Sequence, residues 1–262
     1  MGGPKEASRV SPCSRIVTAV RVSWSASVSF ASFGTTLTAL VALPLFDVLF
    51  ATGMGRALAS DDILRAAFSS AVASVALGVA GGVVNAVVAA HGRGVLALVL
   101  TARRFDPIFW IAVGVAPIAT SLITGLVTIG GIALFTGTIG STMAADAAVL
   151  GLVALVIGWL LGLFAAGISI IATNPYLGAT ILSATFPVLI GVIVPTSLYP
   201  EWLVAPSLVT PLARSLSYLG YGVPAGTMIV DLALAGAWAF VGLAWTRMAV
   251  ARMRRGYGHL LP

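Results

Sequence analysis

Six apolar stretches dominate this chain, at residues 28–50, 66–90, 107–136, 147–172, 177–197 and 225–248. A helix needs ~20 mostly apolar residues to cross a bilayer, and in hydrocarbon every backbone N–H and C=O must find its partner within the protein. Each stretch is therefore expected to be a transmembrane helix, and the third and fourth, longer than the need, to tilt or to begin in the headgroup layer. Composition agrees: 59% of the 262 residues are hydrophobic and only 8% are charged, against roughly 25% charged in a soluble domain. Too few charges remain to coat a water-facing surface, so the expected fold class is an all-α membrane protein with six transmembrane helices.

The basic residues orient it. Lys5, Arg9, Arg15 and Arg21 precede the first span, Arg93, Arg103 and Arg104 follow the second, and Arg247, Arg252, Arg254 and Arg255 lie at the C-terminal end. The opposite set of connections holds Arg56, Arg65 and Arg214. Six spans put the three rich clusters on one side, and the positive-inside bias makes that side cytoplasmic, with both termini there. The net charge of +6 reads as this bias and as headgroup contact, not as a nucleic-acid footprint. The first apolar run starts too late and runs too long for a cleavable signal.

Two cytoplasmic segments carry further pattern. At ~100° per residue, Ile16, Val17, Val20 and Trp24 share one helical face, with Ser14, Arg15, Thr18, Arg21 and Ser25 opposite, which suits a helix lying in the membrane surface. After the second span comes GRGVLALVLTARRFDP, residues 92–107. Glycine and proline suit the ends of a short helix. Val95 to Leu100 are all apolar, and such a surface calls for the headgroup layer or a protein partner. On the outer side, the segment from Pro195 through Pro200, Glu201, Trp202, Pro211 and Arg214 to Pro224 is mostly apolar. It is expected to dip into the outer leaflet or pack on the spans, with Tyr199 and Trp202 at the interface.

Several chemistries lack their residues. Lys5 is the only lysine, so the chain holds no phosphate-binding Gly-x-x-x-x-Gly-Lys-Ser/Thr loop. There is no His-Glu-x-x-His, and His91 and His259 are too far apart for a plausible zinc site. No Gly-x-Ser-x-Gly elbow occurs, and the single Cys13 cannot form an intramolecular disulfide. No acid stands near the middle of a span, where an ion-coupled carrier usually keeps one. Asp47 and Asp231 lie toward outer ends and are expected to be solvated at the interface, while Asp146 and Arg65 cap outer helix ends. Gly158-x-x-x-Gly162, and Gly78, Gly82, Ala86 and Ala90, are expected to pack helices closely within the chain.

Taken in order, the amphipathic segment before span one, the loop at 92–107, the Asn174-Pro175-Tyr176 hinge and the outer segment around Pro200-Glu201-Trp202-Leu203 and Thr210-Pro211-Leu212 resemble those of type-2 ATP-binding-cassette (ABC) transporter permeases. These are transmembrane subunits of bacterial drug, antibiotic and lipid exporters. The likeness covers nearly the whole chain, with one departure: no acidic residue follows the glycine of the cytoplasmic helix until Asp106.

The resemblance implies a tail and interfacial helix over residues 1–27, a six-span permease domain over 28–248 and a basic cytoplasmic tail over 249–262. It implies a coupling helix between spans two and three, in which Val95, Leu96, Leu98 and Val99 enter a groove on a separate ATPase while Arg93, Arg103 and Arg104 meet its rim or phospholipid. It further implies a re-entrant outer segment containing Pro200, Trp202 and Pro211, and a second permease, identical or paralogous. The chain itself would be no enzyme and hold no cofactor, ATP and Mg2+ belonging to the partner ATPase, and it would sit in the bacterial inner membrane. Two other readings compete: an ion-coupled carrier or membrane accessory protein, and a lipid-modifying enzyme, for which only Asp61 and Asp62 adjoin.

Overall fold

The computed structural model of the chain describes residues 63–93, 107–172, 174–192 and 194–254, with a few positions between 34 and 49. Among these residues there are seven α-helices and no strand. They are α1 (Ile63–Gly92), α2 (Pro107–Phe135), α3 (Thr142–Ile171), α4 (Leu177–Leu189), α5 (Glu201–Leu208), α6 (Ala213–Ser217) and α7 (Ala225–Arg254). Of these, α1, α2, α3 and α7 are long and apolar enough to cross a membrane, and the architecture is that of an integral membrane protein. The expected second, third, fourth and sixth spans coincide with these four helices. A π-helical turn, Thr38–Ala42, within the expected first span lies against α2.

The expected fifth span, 177–197, is shorter than the apolar run that announced it. Helix α4 has 13 residues, which at ~1.5 Å rise per residue reach roughly 20 Å, short of the roughly 30 Å hydrocarbon core. Its end is set by Gly191, which takes φ +76°. The Gly191 N–H donates to Val188 C=O at 3.2 Å and the Val192 N–H to Pro187 C=O at 3.2 Å. This pair of bonds around a left-handed residue is a Schellman termination, which glycine enters without a Cβ clash. Helix α2 closes the same way, with Gly137 at φ +68°. Ser141 then opens α3, its hydroxyl accepting the Ala144 N–H at 3.2 Å.

Helix α3 is central: it packs on α1, α2, α4 and α7. Lipid gives helices no hydrophobic reason to associate, so close contact depends on small residues. The α1–α3 seam is built from Ala76 and Ala80 against Gly158 and Gly162, where a Cβ on Gly158 would stand 2.3 Å from the Ala76 carbonyl oxygen. Ala76 pairs with Gly158 and Ala80 with Gly162, so the two helices run parallel. Between α1 and α2 the pairs are Gly82 with Pro117, Gly78 with Ser121 and Val75 with Gly125, an antiparallel register. Gly178 of α4 approaches Ala165, and Gly167 approaches Gly242 of α7. The glycines singled out in the sequence face neighbouring helices of the same chain, and Ala86 and Ala90 pack against the same core.

Candidate functional site

The residues between α4 and α7 form the most elaborate region. Pro200 caps α5 with extended backbone, φ −63° and ψ 152°, and its carbonyl accepts the Leu203 N–H at 2.9 Å. Trp202, on the first turn, is 74% exposed. Pro211 is buried in the turn that follows. The next residue, Leu212, is fully buried yet takes φ +73°, a left-handed conformation worth roughly 1–2 kcal/mol of strain in a residue with a Cβ. Helix α6 starts there.

Four side chains from the long helices hold this region. Asp231 of α7 is 0% exposed, and its Oδ2 accepts the backbone N–H of Ser215 at 3.0 Å and the Ser215 hydroxyl at 2.6 Å. Ser215 is in the first turn of α6, where N–H groups lack intrahelical acceptors, so Asp231 caps α6 from another helix. Its Oδ1 is buried without a hydrogen-bond partner. Trp238, two turns further along α7, donates its indole N–H to Val209 C=O at 3.1 Å. Asp146 of α3 accepts the N–H groups of Gly220 and Gly222, both at 3.0 Å. Arg65 of α1 is 8% exposed and both its terminal nitrogens lie 3.4 Å from Gly191 C=O. The Tyr199 hydroxyl donates to Val188 C=O at the same end of α4.

This corrects the expectation for Asp231, which is buried and hydrogen-bonded instead of solvated at an interface. Arg65 and Asp146 do stand near helix ends, but they bind the backbone of the α4–α7 region. Sequence reasoning missed Ser215 and Trp238 altogether. The available signal was the isolated charge: each of Arg65, Asp146 and Asp231 interrupts an apolar helix and needs a polar partner, which the serine- and glycine-rich stretch 207–222 supplies for the two aspartates and the Gly191 carbonyl at the end of α4 for Arg65.

Of the expected coupling residues, Arg93 lies just beyond α1, exposed, its N–H donating to Ala89 C=O at 3.2 Å. Val95, Leu96, Leu98, Val99, Arg103 and Arg104 are outside the described residues, as are Ile16, Val17, Val20 and Trp24. The hinge at 174–176 is an Asx turn: Asn174 Oδ1 accepts the Tyr176 N–H at 2.9 Å and leads into α4. Among the described residues no three His, Cys, Asp or Glu side chains gather as metal ligands would. A cavity of about 470 Å³ opens between α2 and α3, with Val75 of α1 behind it.

Fold and site together define an all-helical membrane protein whose last long helix is preceded by a segment of short helices bound back onto the bundle. Comparison of the chain with protein-family models, with curated proteins and with solved structures gave no match.

Proposed function

We propose that the chain is the transmembrane permease subunit of an ABC exporter of the type-2 class. It would move an amphipathic drug, antibiotic or lipid out of the cytoplasm or inner leaflet with energy from a separate ATPase. The observation that carries this reading is a pairing of two features at opposite ends of the bundle. At one end, the apolar linker 94–106 joins α1 to α2. At the other, the segment 191–222 that contains α5 and α6 is held by Arg65, Asp146, Asp231 and Trp238. An apolar linker suits docking to an ATPase, and side chains from α1, α3 and α7 can pass motion of the bundle to the outer segment.

In this reading the membrane is the bacterial inner membrane and both termini are cytoplasmic. Residues 28–50 supply the first span, 92–105 form the coupling helix, and α4 with the turn after it crosses as the fifth span. The segment 195–224 re-enters the outer leaflet, and the interfacial helix at 14–25 braces the ATPase junction. Two permeases face each other around the path. ATP closure of the ATPase pair rocks them from inward to outward access, each coupling helix transmitting the motion without taking part in hydrolysis.

The test is co-purification of the detergent-solubilised chain with a co-expressed ATPase encoded beside it. Wild type should retain the ATPase, and a Leu96→Asp, Leu98→Asp double variant should lose it while eluting as a folded permease. Absence of capture by folded wild type would reject the reading.

One observation favours a second reading. Asp231 is a buried carboxyl in a membrane helix with one unpartnered oxygen, and intramembrane acids often serve ion coupling. Transport that stops when the proton gradient is collapsed with ATP kept high would identify a carrier.

A further inference from the structure

We propose that the cavity between α2 and α3 is a binding site for one acyl chain of a membrane lipid. Its walls are Leu122, Leu126, Ile129 and Leu134 on one side and Leu152 and Leu155 on the other, and its volume is about 470 Å³. That lies within the roughly 300–1,000 Å³ of small-ligand sites. The cavity is three-sided, because Gly125 lets α2 approach Val75 of α1, whose methyl would stand 2.6 Å from a Cβ there. Gly130 keeps it open: a Cβ on that residue would meet nothing within 4 Å.

The lining selects the occupant. The polar side chain in the wall is Ser121, 4% exposed, so polar groups on a drug or peptide would be stranded without hydrogen-bond partners. An unsubstituted hydrocarbon chain strands none, and it restores the dispersion contacts that an unfilled space forfeits. The bilayer surrounding α2 and α3 supplies such chains at high concentration. The lining also takes in Ile139 and Gly140, in the turn joining the two helices. There the Thr136 and Thr138 hydroxyls are hydrogen-bonded to each other at 2.8 Å. Among the described residues none that lines the cavity is charged, so the site reads the chain and is indifferent to headgroup charge. Leu45 lies beside Gly131, on the adjoining face of α2 and not in the wall. The inference needs only membrane residence and stands apart from the exporter reading.

The experiment reconstitutes the full chain in phosphatidylethanolamine–phosphatidylglycerol vesicles holding a trace of phospholipid with a photoreactive acyl chain. Labelled peptides are then mapped by mass spectrometry. Labelling should be several-fold higher in peptides 122–134 and 144–155 than on the lipid-facing side of α7, where Ile229 and Phe240 are 66% and 70% exposed. Both headgroups should give the same pattern. Gly130→Trp should abolish the excess by filling the cavity while leaving α7 labelling unchanged, with Gly130→Leu as the milder filling variant. Uniform labelling of α2, α3 and α7 in wild type, as would follow if residues 28–50 or a second copy covered the cavity, overturns the proposal without recourse to either variant. A Gly130 variant that folds and keeps the excess overturns it as well.

Discussion

Asp231 Oδ2 accepts both the backbone N–H and the hydroxyl of Ser215, at 3.0 and 2.6 Å, so one carboxylate in the last long helix caps a five-residue helix sixteen positions earlier in the chain. Helices this short are not stable alone. The α6 turn, with its strained Leu212, exists because tertiary contacts hold it. Removing the acceptor leaves two buried donors unpaired, worth about 1–3 kcal/mol each. Asp231→Ala should therefore lower the thermal midpoint of the detergent-solubilised protein substantially. Asp231→Asn, whose amide oxygen can still accept both bonds, should lower it much less. Equal midpoints for Asp231→Ala and wild type would show that the cap contributes nothing.

The two other charged anchors should act locally. Asp146→Ala frees the N–H groups of Gly220 and Gly222, so hydrogen exchange should accelerate in 218–223 while 190–199 stays protected. Arg65→Met should do the reverse, loosening the chain around Gly191. Exchange measured by mass spectrometry on the two variants separates these effects. Acceleration spread over all the helices in either variant would mean that the residue supports the whole bundle.

Helix packing gives a sharper contrast. A methyl added at Gly158 would meet the Ala76 carbonyl oxygen at 2.3 Å, backbone that cannot rotate away, whereas one added at Gly236 meets nothing within 4 Å. Gly158→Ala should destabilise by about 1–3 kcal/mol, as overpacking of a close interface does. Gly236→Ala should be neutral or slightly stabilising, since alanine favours the helix. Thermal unfolding of both variants in one detergent checks the pair. A tolerated Gly158→Ala would deny the close parallel packing of α1 and α3.

The long spans were legible because twenty or more apolar residues have few solutions in lipid, and the starts of α2 and α7 follow from Pro107 and from Pro224 ahead of Ala225. The close-packing role of Gly158 and Gly162 was legible for a similar reason, small residues four apart on one helix face. The end of α4 was not, because Gly191 interrupts an apolar run without changing its hydropathy, and the Schellman bonds that stop the helix come from backbone conformation. Asp231 was misread because its depth was judged from distance to the end of its own helix. Its partner Ser215 belongs to a segment whose fold back onto α7 leaves no periodic trace in the sequence. Arg65 and Asp146 were read correctly as near-terminal charges, while their acceptor and donors, Gly191, Gly220 and Gly222, are backbone groups that any residue would supply.

The topology can be tested with the chain's single cysteine removed. In a Cys13→Ser background, Tyr221→Cys and Arg93→Cys place one thiol at each end of the bundle. Tyr221 is 87% exposed in the loop before α7, and Arg93 follows the last turn of α1. If the basic clusters are cytoplasmic, a membrane-impermeant maleimide should label Tyr221→Cys in intact cells. It should label Arg93→Cys only after the membrane is opened. Trp202→Cys adds the depth of α5. Its side chain is 74% exposed, and a re-entrant segment would turn it toward lipid, which suits an interfacial tryptophan. That thiol should then react more slowly than the one at position 221, because thiolate forms poorly in apolar surroundings. Labelling of Arg93→Cys in intact cells would invert the chain in the membrane, put the apolar linker 94–106 on the outer face and remove the ATPase partner from the proposed function.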